Sequence, residues 1–243
     1  MASDASVGAG MKTPTIAAVL AQFLDEEAQR LSPKTVTQYR DVVELLQHHL
    51  NGYAYLSLEE FDAKRFERLQ RATGEAQREF CQIFGPEHIL PNVGEFLGYF
   101  MVRKVVASRA LLRAAGTVTK RLAAWLAEQG YAAAEDVEVA TERGAQAARE
   151  LPKADALASR LQAFAEERAS RAPADQLEDQ FEVTRVEPGR IWLAGLLDGR
   201  EHGPIRLPEE LSRGCQLGWT ISGVIGRVGR RWQMIEVWNV YPR

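Results

Sequence analysis

The chain has 243 residues, 46% of them hydrophobic and 26% charged, which is the balance of a globular protein with one large or two ordinary cores. A formal net charge of −3 excludes a globally basic nucleic-acid binder but leaves room for a local basic face. Two cysteines far apart in sequence, Cys81 and Cys215, argue against a disulfide framework or a cysteine-based metal site and for a reducing cytoplasm.

Residues 1–12 are small and polar and read as a disordered lead-in without the apolar centre of a signal peptide. Thr13-Pro14 is a helix start signal, and Ile16, Val19, Leu20, Phe23 and Leu24 recur at helix spacing. Ser32-Pro33 repeats the signal, followed by a stripe of Val36, Tyr39, Val43, Leu46 and Leu50 that Asn51-Gly52 is expected to end. Leu58 to Phe84 reads as a third helical stretch with Phe61, Phe66, Leu69 and Phe80 in the core. Helices over 93–106 and 107–129 complete the region.

Residues 135–180 hold 6 basic and 11 acidic side chains and, apart from Phe164, no aromatic. They read as an acidic helical connector: one helix from about Thr141, then a second from Lys153 to Ser170, separated by Pro152. Leu157, Leu161 and Phe164 form an apolar edge on the second helix, expected to dock on a neighbouring element or on a second copy as a homodimer.

From Phe181 the period changes to two. Phe181 to Val186, Ile191 to Leu196, Ile205 to Leu207, Leu217 to Val228 and Trp232 to Val240 read as five short strands punctuated by turn residues. Strands this short avoid exposed edges by rolling up, so a small SH3-like or OB-like β-barrel over 181–243 is expected. The fold class is therefore α+β: an N-terminal helical bundle (13–134), the helical connector and the barrel. No apolar run approaches the roughly 18 residues of a membrane span.

The strongest chemical signal is a charge gap. No acidic residue occurs between Glu95 and Glu128, while Arg103, Lys104, Arg109, Arg113, Lys120 and Arg121 all fall there. On a helix starting at Ser108, Arg109, Arg113, Thr117, Lys120, Arg121 and Ala124 share one face, and Leu111, Ala115, Val118, Leu122, Trp125 and Leu126 form the core face. Arginines and lysines interleaved with a hydroxyl suit DNA phosphates, because each neutralised phosphate releases counterions. Lys34, Thr35 and Gln38, at a helix start, add short polar groups for phosphate. Arg227, Arg230 and Arg231 at the last hairpin are a second candidate contact, for nucleic acid or for a protein partner of the barrel. No nucleotide loop, nucleophile elbow or three-ligand metal set is visible, so a non-catalytic protein without cofactor or metal is expected.

Three segments carry a resemblance: Thr15 to Leu24 (TIAAVLAQFL), Leu31 to Arg40 (LSPKTVTQYR) and Gly116 to Leu126 (GTVTKRLAAWL). Together they resemble the N-terminal core-binding, SAM-like domain of tyrosine recombinases and phage integrases, over about half of the chain. The stretch from Glu59 to Glu95 departs from that pattern. The resemblance implies a helical clamp on duplex DNA. The family's separate catalytic domain supplies a tyrosine nucleophile and a His-x-x-Arg element. None of His48, His49, His88 or His202 begins such an element, and Tyr241 follows a strand pattern. The resemblance thus implies DNA binding without strand cleavage, accessory to recombination or regulation. The alternative expectation is an assembly module whose barrel and connector helix bind proteins without nucleic acid.

Overall fold

The structure is a computed structural model and describes residues 13–168 and 175–242. The expected lead-in over 1–12 and the tail of the connector over 169–174 lie outside the described residues. Helix α1 (Ile16–Ala28) starts two residues later than its sequence signal, because Thr15, and not Thr13, accepts the Ala18 N–H as N-cap. Helix α2 (Pro33–Tyr53) begins at Ser32-Pro33 as expected but runs through Asn51-Gly52 into the 3-10 turn Ala54–Ser57. Gly52 keeps negative φ there, and Asn51 turns outward, donating to Glu79 (2.5 Å) and accepting the Cys81 N–H (2.9 Å).

The expected third helix is broken. Helix α3 spans only Glu60–Gln70, followed by the 3-10 turn Gly74–Ala76 and the single turn α4 (Phe80–Ile83). Phe66 and Phe80 are core, as read, but Phe61 is 81% exposed. The helix is amphipathic around Phe66, and Phe61 falls on its outer side. Two short helices, α5 (Val93–Glu95) and α6 (Met101–Arg103), flank a π-helical turn over Phe96–Phe100. Helix α7 (Arg109–Glu128) starts at Ser108, whose hydroxyl accepts the Leu111 N–H (3.2 Å). Its buried face includes Leu112 in place of Leu111, which is half-buried.

Helix α8 (Ala134–Arg168) corrects the two-helix reading of the connector: it is continuous through Pro152. A proline inside a helix costs about 3 kcal/mol. Here both flanks are locked by burial, so the helix has no freedom to break. Ala140, Ala147 and Leu151 belong to the helical core, while Ala154, Leu157, Leu161 and Ala165 belong to a second core with the strands. The Leu157 and Leu161 part of the apolar edge is thus covered within the chain, while Phe164 is half-buried.

Helices α7 and α8 meet backbone to backbone. A Cβ on Gly144 would lie 2.7 Å from the Gly116 carbonyl oxygen, and a Cβ on Gly116 closer still to the Gly144 oxygen and the Ala148 nitrogen. Glycine at both positions is what lets the crossing form.

The C-terminal region holds five strands: β1 (Asp175–Glu187), β2 (Arg190–Gly195), β3 (Glu201–Arg206), β4 (Thr220–Val228) and β5 (Arg231–Tyr241), with helix α9 (Glu209–Gly214) between β3 and β4. β1 begins inside the expected connector. Its polar residues 175–180 lack apolar alternation, and their strand form comes from pairing along β4, Asp175 opposite Arg227 through Glu182 opposite Thr220. The pairing order is β1-β2-β3-β5-β4, with β4 returning to β1. All pairs are antiparallel except β3 with β5, which meet at Ile205 and Trp232. Phe181, Val183, Ile191, Leu193, Trp219, Ile221 and Met234 point inward over Leu157 and Leu161. No helix among the described residues is long and apolar enough to cross a membrane.

Candidate functional site

The basic stripe forms where it was expected. Arg109, Arg113, Thr117 and Lys120 are all exposed on α7, with the backbone of Lys120 beside Gly144 of α8. Among the described residues, the side chains of Arg109, Arg113 and Lys120 make no ion pair or hydrogen bond. Elsewhere in the helical region Lys64 is held by Glu60, Arg71 by Glu67 and Arg30 by Glu27, whereas Lys34, Arg40 and Arg68 likewise make no ion pair among the described residues. What sets α7 apart is the charge gap: it has no acid before Glu128. The Thr117 hydroxyl donates to the Arg113 carbonyl (3.1 Å) and keeps its lone pairs toward solvent.

Arg121 departs from the stripe. Its Nε donates to Glu27 (2.8 Å) and its Nη1 to Glu128 (2.8 Å). The hydrogen bond to Glu128 and then that to Glu27 raise its pKa further, and the same bond lowers the pKa of Glu128. Glu27 is buried, so Arg121 serves as the counter-ion that allows a carboxylate to sit between α1 and α7. Trp125 completes this junction by donating to Glu26 (2.6 Å), which holds that carboxyl below its ordinary pKa.

The α2 start lies at this acid-rich end. Lys34 is exposed, but Tyr39, just over one turn beyond Thr35, sits beside Glu27, Arg30 and Arg121. Thr35 is engaged in the cap, its backbone N–H donating to the Ser32 hydroxyl and its own hydroxyl bonded to that oxygen (2.9 Å). Gln38 is half-buried. Of the three, Lys34 alone is exposed, and it makes no ion pair among the described residues.

Arg227, Arg230 and Arg231 are exposed around the β4–β5 turn, where Gly229 takes φ of 63°. Asp175 is the cross-strand neighbour of Arg227 and dilutes its charge. Trp232, next to Arg231, is half-buried and packs edge-on against His202, 4.8 Å between ring centres. Trp219 is core, and the outer face of Trp192 is capped by the Arg185 guanidinium 3.6 Å above its ring.

Nucleophilic and metal chemistry find few footholds. Burial pushes both Cys81 and Cys215 thiols up to about 12, so neither is a thiolate near neutral pH. His49 is enclosed by Tyr53, Phe96 and Phe100, and burial lowers its pKa to about 4, keeping it neutral. Among the described residues no three His, Cys, Asp or Glu side chains converge.

The chain also forms a cleft that its sequence pattern did not announce. With a volume of about 410 Å³, it opens between the π turn and the strands, walled by Tyr99 and Arg103 on one side and by Glu178, Asp179 and Trp238 on the other. Its rim is Leu196-Leu197, in the β2–β3 turn. A sequence signal for it does exist: two leucines directly before the turn residues Asp198-Gly199, where polar residues are usual.

Comparison of the chain with family models, with curated proteins and with solved structures returns no match.

Proposed function

We propose that this is a non-catalytic DNA-binding protein that contacts the duplex backbone through the outer face of α7. The carrying observation is the set of exposed, unpaired cations Arg109, Arg113 and Lys120 in a stretch without a single acid from 96 to 127. Placing like charges together without counter-ions costs stability, and a polyanion is the partner that repays it by counterion release. The contacts are to phosphate, since side chains at this spacing on a helix facing solvent reach a backbone without entering a groove. The reading of residues 13–134 as a SAM-like, core-binding type of bundle rests on the three segments that carry the resemblance, and it agrees with a DNA-facing last helix. The C-terminal sheet we read as a small SH3-like or OB-like barrel, supported by the cyclic order of its pairings. With its cysteines reduced and buried, the chain suits the cytoplasm.

The test is fluorescence anisotropy on a labelled duplex of about three helical turns, over a range of salt. The comparison is the triple variant Arg109→Ala, Arg113→Ala, Lys120→Ala, with Arg121 left intact because it holds Glu27. Wild type is expected to bind with a steep salt dependence, and the variant to flatten the log–log slope by roughly 0.9 for each phosphate it no longer neutralises. Absence of duplex binding at low salt, or equal binding by the variant, rules the reading out.

A further inference from the structure

Exposed apolar side chains gather at the cleft between the helices and the strands. Leu197 is 86% exposed, Leu196 55%, Trp238 40% and Tyr99 39%, and all four line it. Polar residues are usual in such a turn, so two leucines there are unexpected.

Nor is the turn loose. The Leu196 N–H donates to the Gln180 carbonyl (2.9 Å) and the Leu197 N–H to Asp179 Oδ2 (3.0 Å). Asp198 Oδ1 accepts the Arg200 N–H (2.9 Å), and Gly199 supplies the left-handed φ of 65°. The leucines are therefore held outward in one place, which lowers the entropy cost of covering them.

Charge and backbone narrow the occupant. Glu178 is exposed and, among the described residues, makes no ion pair. The walls carry two acids, Glu178 and Asp179, against one cation, Arg103, so the net charge of the lining is negative. β1 pairs with β4 from Asp175 but with β2 only from Phe181, so among the described residues its 175–179 stretch has one edge without a strand. An edge of this kind takes up extended polypeptide.

We propose that this cleft docks an extended segment of a partner protein. A bulky apolar side chain of the partner enters between Tyr99, Trp238 and the two leucines, and an adjacent lysine or arginine meets Glu178. The site uses none of the α7 cations and goes beyond the DNA contact.

The test pans a displayed random dodecapeptide library on the full chain, with the Leu197→Asp variant panned in parallel. The enriched consensus is then synthesised and its binding measured by anisotropy. The expected consensus joins a bulky apolar residue to a basic one. Its affinity is expected to fall at least about tenfold in Leu197→Asp, Trp238→Ala and Glu178→Lys, and to be unchanged in the α7 triple variant. Leu197→Asp alters a solvent-facing position and is expected to keep the near-UV spectrum of wild type. No enrichment over the Leu197→Asp panning, an acidic consensus, or equal binding by all variants overturns the proposal. Because the α7 variant is carried through, loss of DNA binding and loss of peptide binding are read separately.

Discussion

Arg113 and Arg121 lie about two turns apart on α7 and meet opposite surroundings. The first projects into solvent without a partner. The second neutralises the buried Glu27 and ties down Glu128. Removing one member of a buried pair strands the other charge, and that stranding dominates the energetics. Arg121→Met is therefore expected to destabilise the fold by about 3 kcal/mol, moderated by Arg30, which also reaches Glu27. Arg113→Met is expected to stay within about 0.5 kcal/mol of wild type. Urea titrations of the two variants decide it. Equal stabilities would mean that the Glu27 cluster is solvated and that Arg121 belongs with the free cations.

At the level of elements, the α7–α8 crossing is the joint that the helical region depends on. Gly116 and Gly144 let the two backbones touch, and side chains on both helices then close over the contact. Gly116→Ala places a methyl group against backbone atoms that cannot swing away, so the helices must separate. A loss of about 2–3 kcal/mol is expected despite the better helix propensity of alanine. Gly52→Ala is the control. Gly52 is helical and has nothing within 4 Å of its missing Cβ, so alanine there is expected to add about 0.5–1 kcal/mol. Thermal melts showing both variants shifted in the same direction would refute the packing argument.

Over the whole molecule, α8 belongs to two cores at once. Its first half packs with α7, and its second half lies under β5, where the Gln162 side-chain oxygen accepts the Val237 N–H (2.7 Å). A rigid helix shared in this way couples the unfolding of the two regions. The tryptophans report mainly on the C-terminal region, four of the five lying between 192 and 238, and helical far-UV circular dichroism reports on the rest. The two signals are expected to give coincident urea transitions in wild type. Inserting Gly-Gly-Ser after Lys153 rotates Leu157 and Leu161 away from the strands and is expected to separate them. Coincident transitions in the insertion variant would show that the coupling runs through other contacts.

The helix starts at Ser32-Pro33 and Ser108, the apolar stripes of α1, α2 and α7, the five strands and the basic face were all legible in the sequence. Each depends on local chemistry: a hydroxyl that caps, a period that matches 3.6 or 2, or a run without acids. What the tertiary structure alone decided are the cases in which a residue's fate depends on a distant partner. Pro152 stays helical because two cores grip its flanks, and residues 175–180 become a strand because β4 is there to pair with them. Leu157 and Leu161 cover the strands and not a second copy, and Arg121 leaves the stripe because Glu27, far back in the sequence, is buried beside it. Local propensity differs by only tenths to about one kcal/mol per residue, and long-range burial or pairing of a charge outweighs it wherever the two disagree.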